Sequence, residues 1–272
     1  MIVPGAMGFM ALRSAALLTV TLLVGLAPAM LHAASPAAKP EFVPRQYEPR
    51  SMRDFTGLWV NREGISWVPG KPGLKGEPPL TPEYEAIYAE HRKNAAAGKP
   101  TGDPTAACLP QGMPRIMTMP YPMEIMQNDL QVNIFAEWNE QTRRIFIDGR
   151  PHPPADELDP TYYGHSTGHW EGNVLVVETV GLRDDTNLEA TGLPHSGELV
   201  VHERIWLADK DTLKDEITLI DAKAYTRPWT VTKTYNRAPP GFVLLPYVCL
   251  ENNRNPINAE GEIGFILENG GN

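Results

Sequence analysis

From Glu124 to Glu251 the chain is a succession of short β-branched, aromatic and aliphatic runs broken by turn residues, a pattern that favours an antiparallel sheet. The runs are Glu124 to Gln127, Gln131 to Trp138, Arg143 to Asp148, Tyr163 to Trp170, Val174 to Val180, Leu199 to Leu207, Thr212 to Ile220, Thr230 to Asn236 and Gly241 to Glu251. An opening strand precedes them at Asp54 to Asn61. Proline and glycine together supply 50 of 272 residues (27 and 23), about 18% against a background of about 12%, which argues against long helices. One helix is predicted, starting at Thr81, Pro82 and Glu83 and closed by Gly98, with Tyr84, Ile87, Tyr88 and His91 on one face. The expected fold is mainly β, an antiparallel lipocalin-like barrel of about nine or ten strands with one helix on its N-terminal side. The Pro- and Met-rich crossing from 99 to 123, with Met113, Met117 and Met119, reads either as a cap on an apolar cavity or as a loop laid on the core.

Arg13 followed by a short apolar run, Pro28 and small residues near Ala33 and Ala34 has the form of a secretory signal peptide. The run is too short to span a bilayer, which takes about 20 apolar residues. The organisation expected is a signal peptide at 1–34, a disordered leader at 35–52, a single β-barrel domain at 53–255 and a tail at 256–272, in a periplasmic or secreted protein without stable membrane insertion. Only Cys108 and Cys249 remain as thiols. In an oxidising compartment they are a disulfide candidate, whose loop of roughly 140 residues would remove ~4–5 kcal/mol of unfolded-state entropy; two separate buried thiols are the alternative. A net charge of −9 and the lack of any basic, aromatic-laced stretch exclude nucleic acid as an expected partner.

The stretch from Tyr163 to Gly181 reads as a hairpin turning at Gly172. With a two-residue loop, His165, Thr167, His169, Val176 and Glu178 share one face, and Gly164, Ser166, Gly168, Trp170, Leu175, Val177 and Thr179 the other. The histidine face is then either solvent, as in an ordinary half-buried hairpin, or a lumen in which Glu178 orients an imidazole for proton transfer. His165 and His169 would lie about 13 Å apart along a strand, too far to share one metal, and no metal or other cofactor is expected. The polar loop from Gly181 to Gly197 adds Asp184, Asp185, Asn187 and His195 at strand ends. On the next run His202, Arg204 and Trp206 alternate with Val201, Glu203, Ile205 and Leu207, so one face carries either a charge inward or a tryptophan outward. Arg144 with Asp148, and Tyr225, Arg227 and Trp229, supply further ligand-contacting candidates.

The run from Gly164 to Gly181, then Gly192 to Ser196, His202 to Arg204 and Arg227 to Val231, resembles a family of exported bacterial β-rich proteins, with likeness from roughly Asp54 to Asn255. The resemblance implies a periplasmic lipocalin-like domain and carries no catalytic role with it. No nucleophile elbow, P-loop, dinucleotide fingerprint, zincin motif or Cys-x-x-Cys pair occurs in the sequence. Two functions are expected. One is a cofactor-independent lyase, isomerase or hydrolase acting on a small organic, possibly aromatic, substrate. His165 or His169 would be its acid/base, Glu178 or Asp184 the orienting carboxylate, and Arg144 or Arg204 the stabiliser of negative charge, with Trp170, His195, His202, Tyr225 and Trp229 contacting substrate. The other is a non-catalytic carrier of an apolar or aromatic molecule in a pocket edged by Met117, Met119, Trp170 and Trp229.

Overall fold

The alternation of apolar and polar residues along each run resolves into nine strands: β1 Gly57–Asn61, β2 Met123–Gln127, β3 Gln131–Ala136, β4 Gln141–Phe146, β5 His165–Glu171, β6 Val174–Val180, β7 Val200–Asp209, β8 Thr212–Ile220 and β9 Trp229–Arg237. The structure, a computed structural model, describes residues 47–61 and 78–252. The predicted signal segment, most of the leader, most of the Ser66 to Pro79 loop and the tail lie outside the described residues. Each strand pairs with the next, and β9 returns to β1, closing the barrel.

Eight of these junctions are antiparallel, but β4 and β5 run parallel. The expected all-antiparallel barrel is corrected by parity: strand direction cannot alternate all the way round a ring of nine, so at least one pair must be parallel. A parallel pair needs a crossover. The connection 147–164 is that crossover, an arm returning along the outside of the barrel. The expected final strand, Gly241 to Glu251, is absent. Once β9 has paired with β1 the ring has no edge left to extend, and the segment leaves Val243 and Leu245 exposed, with Leu250 exposed in a 3-10 turn at Cys249–Asn252. Cys108 and Cys249 are joined in a disulfide that ties this segment back to the crossing before Arg115.

Inward positions fill the barrel with side chains, as expected for a ring of this size. Trp59, Ile125, Ile134, Ile145, Leu175, Val177, Val201, Leu213, Ile217 and Leu219 are among its buried residues. The filling is not wholly apolar. Arg143, Glu203, Asp215 and Lys233 are fully buried, with Ser166 and Thr179 beside them. Arg143 forks onto Glu203 through both terminal nitrogens, with Nη1 2.8 Å from Oε1, and its Nη2 reaches the Thr179 hydroxyl at 3.2 Å. Asp215 stands directly across from Lys233 in the β8/β9 register. Burial first and the Glu203 charge second push Asp215 well above the usual carboxylate range.

The helix, α1 Pro82–Ala96, lies at the end where β5 begins and β6 ends, held by the Leu80–Tyr225 bridge and by Thr81 N–H donating to Ala224 O at 2.9 Å. Its proline start is as the sequence predicts, but Thr81 makes no side-chain cap; its hydroxyl donates to Lys223 O instead. The Met-rich crossing covers the same end, with Met113 and Met117 buried, the Tyr235 hydroxyl donating to Met117 O, and Asn61 Nδ2 reaching Met119 O at 3.1 Å. This is the loop-on-core alternative. At the leader's described end, Tyr47 and Arg50 donate to Asp54 at 2.6 and 2.8 Å.

Candidate functional site: a histidine relay on the outer wall

The β5/β6 hairpin turns through Gly172 and Asn173, because Glu171 pairs with Val174. Gly172 adopts φ +59, with open space around it. The two-residue loop fixes parity, so His165, Thr167, His169, Val176 and Glu178 do share a face. That face is the outer wall. Ser166, Leu175, Val177 and Thr179 are the buried set, and a lumenal histidine site is thereby excluded. The physical reason is the pleat: Leu175 and Val177 cannot enter the core without sending Glu178 out.

Outside, the crossover arm changes what the wall can do. His152, carried on the arm, lies against β5 and β6 with its side chain only 18% exposed. Its Nδ1 is 2.8 Å from His165 Nδ1, and its Nε2 is 3.1 Å from Thr167 Oγ1 and 3.3 Å from Glu178 Oε1. The other oxygen of Glu178 accepts from His202 Nε2 at 2.7 Å. Four titratable side chains from the arm, β5, β6 and β7 thus lie in one row, His165–His152–Glu178–His202, with hydrogen bonds at its two ends and a 3.3 Å charge contact between His152 and Glu178 in the middle.

Neighbouring charge biases where its protons sit. A carboxylate only accepts, so the nearby Glu178 favours the Nε2–H tautomer of His152, whose Nε2 hydrogen-bonds the Thr167 hydroxyl, and that tautomer accepts at Nδ1 from His165 Nδ1–H. His165 is then left with an unprotonated Nε2, which no described residue engages. Burial first, then His152 and Arg150, hold the His165 pKa below its ordinary 6.5. Its ring stacks on Phe146 at 5.4 Å, and the Arg150 guanidinium also lies over that phenyl, at 4.0 Å. Hollows flank the arm. One, of about 430 Å³, is lined by Arg150, Thr167, His169, Glu178 and His202; the other, of about 250 Å³, by Arg144, Phe146, Tyr163 and His165. Gly164, in the second wall, adopts φ +62 where a Cβ would meet Val180 O at 2.4 Å.

The remaining predicted residues fall elsewhere. His169 and Arg204 both turn to Glu171, at 3.5 and 3.0 Å, forming an exposed cluster lower on the wall rather than part of the relay. Asp148 pairs with Arg150 at 2.6 Å, not with Arg144. Asp184 and His195 line a hollow at the barrel mouth. Tyr225 and Trp229 are buried against each other, with ring centroids 6.1 Å apart. Trp170 closes the opposite end against Phe55 at 5.3 Å. Met117, Met119, Trp170 and Trp229 therefore do not edge one pocket. His152 is the member of this cluster that strand reading misses: it lies in a loop with no periodicity, and only its place thirteen residues before His165, across a crossover, could have marked it. Among the described residues no three histidine, cysteine, aspartate or glutamate side chains are grouped to hold a metal ion, and no helix is long and apolar enough to cross a membrane. The fold and site define a closed mixed β-barrel with a covered surface relay. No family model matches the chain and no curated protein matches it.

Proposed function

We propose that this is an exported, lipocalin-like β-barrel enzyme that moves protons in a small organic substrate, in keeping with its resemblance to exported β-rich bacterial proteins. Lyase, isomerase and hydrolase chemistry share the step. The observation that carries the reading is the carboxylate of Glu178 between two imidazoles, one of which, His152, lies 2.8 Å from His165. His165 Nε2 takes the substrate proton. Its Nδ1 proton passes to His152 Nδ1, and the imidazolium so formed sits 3.3 Å from Glu178. Arg144, lining the same hollow as His165, faces negative charge developing on the substrate. The apolar run near Arg13 and the Cys108–Cys249 bond support an oxidising compartment.

The test is a panel of small esters, lactones, enolisable ketones and β-substituted acids, assayed with the wild type and three variants. Turnover is expected to fall about 10²–10⁴-fold in His165→Gln, and less in His152→Gln and Glu178→Gln. The acidic limb of kcat/KM lies below pH 6.5, because His165 works as the neutral base and its pKa is lowered. Turnover that survives His165→Gln unchanged overturns the assignment; binding of panel members with no turnover makes the protein a carrier.

A further inference from the structure

The arm that crosses from β4 to β5 is tied down at both ends and pinned at one place between them. Ile147 N–H donates to Leu130 O at 2.8 Å at its start, and Thr161 N–H to Gly181 O at 3.0 Å at its finish. Among the described residues, no backbone hydrogen bond from 149–160 reaches the barrel; the bond from Glu157 N–H to Pro154 O, at 3.0 Å, is internal to the arm. Pro151, Pro153 and Pro154 have no N–H to offer. Of this stretch only His152, Pro153 and Leu158 are not exposed. Leu158 lies over Gly181, and Arg150 lies over Phe146 while bonding to Asp148 of the arm itself. His152 is therefore the polar pin that holds the middle of the arm to the wall.

That pin depends on an unprotonated nitrogen. His152 Nδ1 and His165 Nδ1 lie 2.8 Å apart, a distance that fits one shared proton and not two. Two neutral rings satisfy it, and so does one neutral ring beside one imidazolium. Two imidazolium rings each carry an Nδ1–H, so neither accepts, and like charges face each other at contact. Among the described residues, Glu178 is the one carboxylate within reach of His152, at 3.3 Å, and His202 holds its other oxygen at 2.7 Å. With His152, His165 and His202 all charged, that single carboxylate faces three imidazolium rings. Asp148 is already neutralised by Arg150 at 2.6 Å, and Arg144, on β4, lines the hollow beside His165. His169, on β5, turns to Glu171 at 3.5 Å, and the arm's other carboxylates, Asp156, Glu157 and Asp159, are exposed. Burial first, then His152 and Arg150, hold the His165 pKa below 6.5, so the second proton enters in mild acid.

We infer that the arm 147–164 is an acid-released strap: protonation of both His152 and His165 breaks its pin, and the stretch 149–160 swings off the wall on its two fixed ends. Release joins the hollows that the arm separates into one groove over Thr167 and His165. The released arm binds one more proton than the docked arm, so below about pH 6.5 each pH unit of acidification favours release about tenfold. The device requires no turnover and stands whether or not the histidines are catalytic.

The test is ¹⁵N relaxation NMR on the folded, disulfide-bonded protein at about pH 7.5 and about pH 5, with long-range ¹H–¹⁵N spectra reporting the protonation of each imidazole. Amide order parameters of Arg150, His152 and Ala155 to Asp159 are expected to fall from about 0.85 to below about 0.6 at the lower pH, while those of β7 and β8 stay near about 0.85. His165→Gln supplies an amide oxygen that still accepts from a charged His152, so its arm should stay rigid at both values. His152→Ala should leave the arm loose at both, and His169→Gln should keep the wild-type transition. A wild-type arm equally rigid at both values, a transition that survives His165→Gln, or a rigid arm in His152→Ala overturns the inference. So does a loss of order that spreads to β7 and β8, which would make the event unfolding of the barrel.

Discussion

On β7, His202 and Arg204 point outward while Glu203, between them, points in. The two faces of that strand carry the same kinds of side chain to opposite ends. Inside, Glu203 is fully buried and meets Arg143, which leaves no room for either partner to change charge without large cost. Outside, His202 meets Glu178 with both side chains 47% exposed, so the pair keeps its contact with water. Charge in the interior therefore fixes the barrel's packing, whereas the charged pair on the outer wall stays within reach of solvent. The arm makes the difference on the outside: without His152, β5 and β6 would present an ordinary solvated strand face.

The sharpest way to break this contrast is to unpair the interior. Glu203→Gln is expected to cost about 3–5 kcal/mol in denaturant unfolding, because Arg143 would keep its buried charge without a carboxylate. Arg143→Met combined with Glu203→Leu should recover most of that loss; a double variant as unstable as the single would mean the layer holds the fold by more than charge pairing. An intermediate case lies under α1, where Glu189 is buried against the Tyr88 hydroxyl at 2.6 Å. Burial pushes its pKa from 4.5 up to about 7. The folded state therefore binds more protons than the unfolded between these values, and stability falls as pH rises from about 4.5 through about 7, by roughly 3 kcal/mol. Glu189→Gln should flatten that dependence, and an unaltered profile would place the titration elsewhere. The smallest effect belongs to the wall: Glu178→Gln should change stability by no more than about 1 kcal/mol while lowering turnover. A loss as large as that of Glu203→Gln would assign the relay to structure rather than chemistry.

Much of this layout is legible in the residues. Period-two alternation places eight of the nine runs expected after the opening strand within a few residues, and the two-residue turn at Gly172 correctly groups His165, Thr167, His169 and Glu178. Alternation cannot say which face is inside, since that depends on the balance of burial across all strands. Leu175, Val177 and the inward set of β7 outweighed the attraction of a histidine lumen. The choice posed by β7 was resolved as a charge inward, Glu203, with Trp206 on the outer face. Nor could alternation reveal the parallel junction, which follows from counting the whole ring, or His152, whose position depends on that junction. Arg204 and His169 were drawn toward the site by proximity in sequence, but strand rise sets them near Glu171, lower on the wall.

The parallel junction has one more consequence, in the motions of the barrel. Its ladder joins only Ile145 to Ser166 and Phe146 to Thr167, whereas β5 and β6 are joined along seven residue pairs. The shortest seam is where a closed sheet opens first, so the amides beside it should exchange with solvent sooner than those of β6 to β8. His165 and Thr167 stand on one lip of that seam and Phe146 on the other, with the arm laid across both. A molecule seated against His165 and Phe146 would therefore bridge the two lips, slow exchange along β4 and β5, and make occupancy of the groove readable as rigidity of the barrel itself.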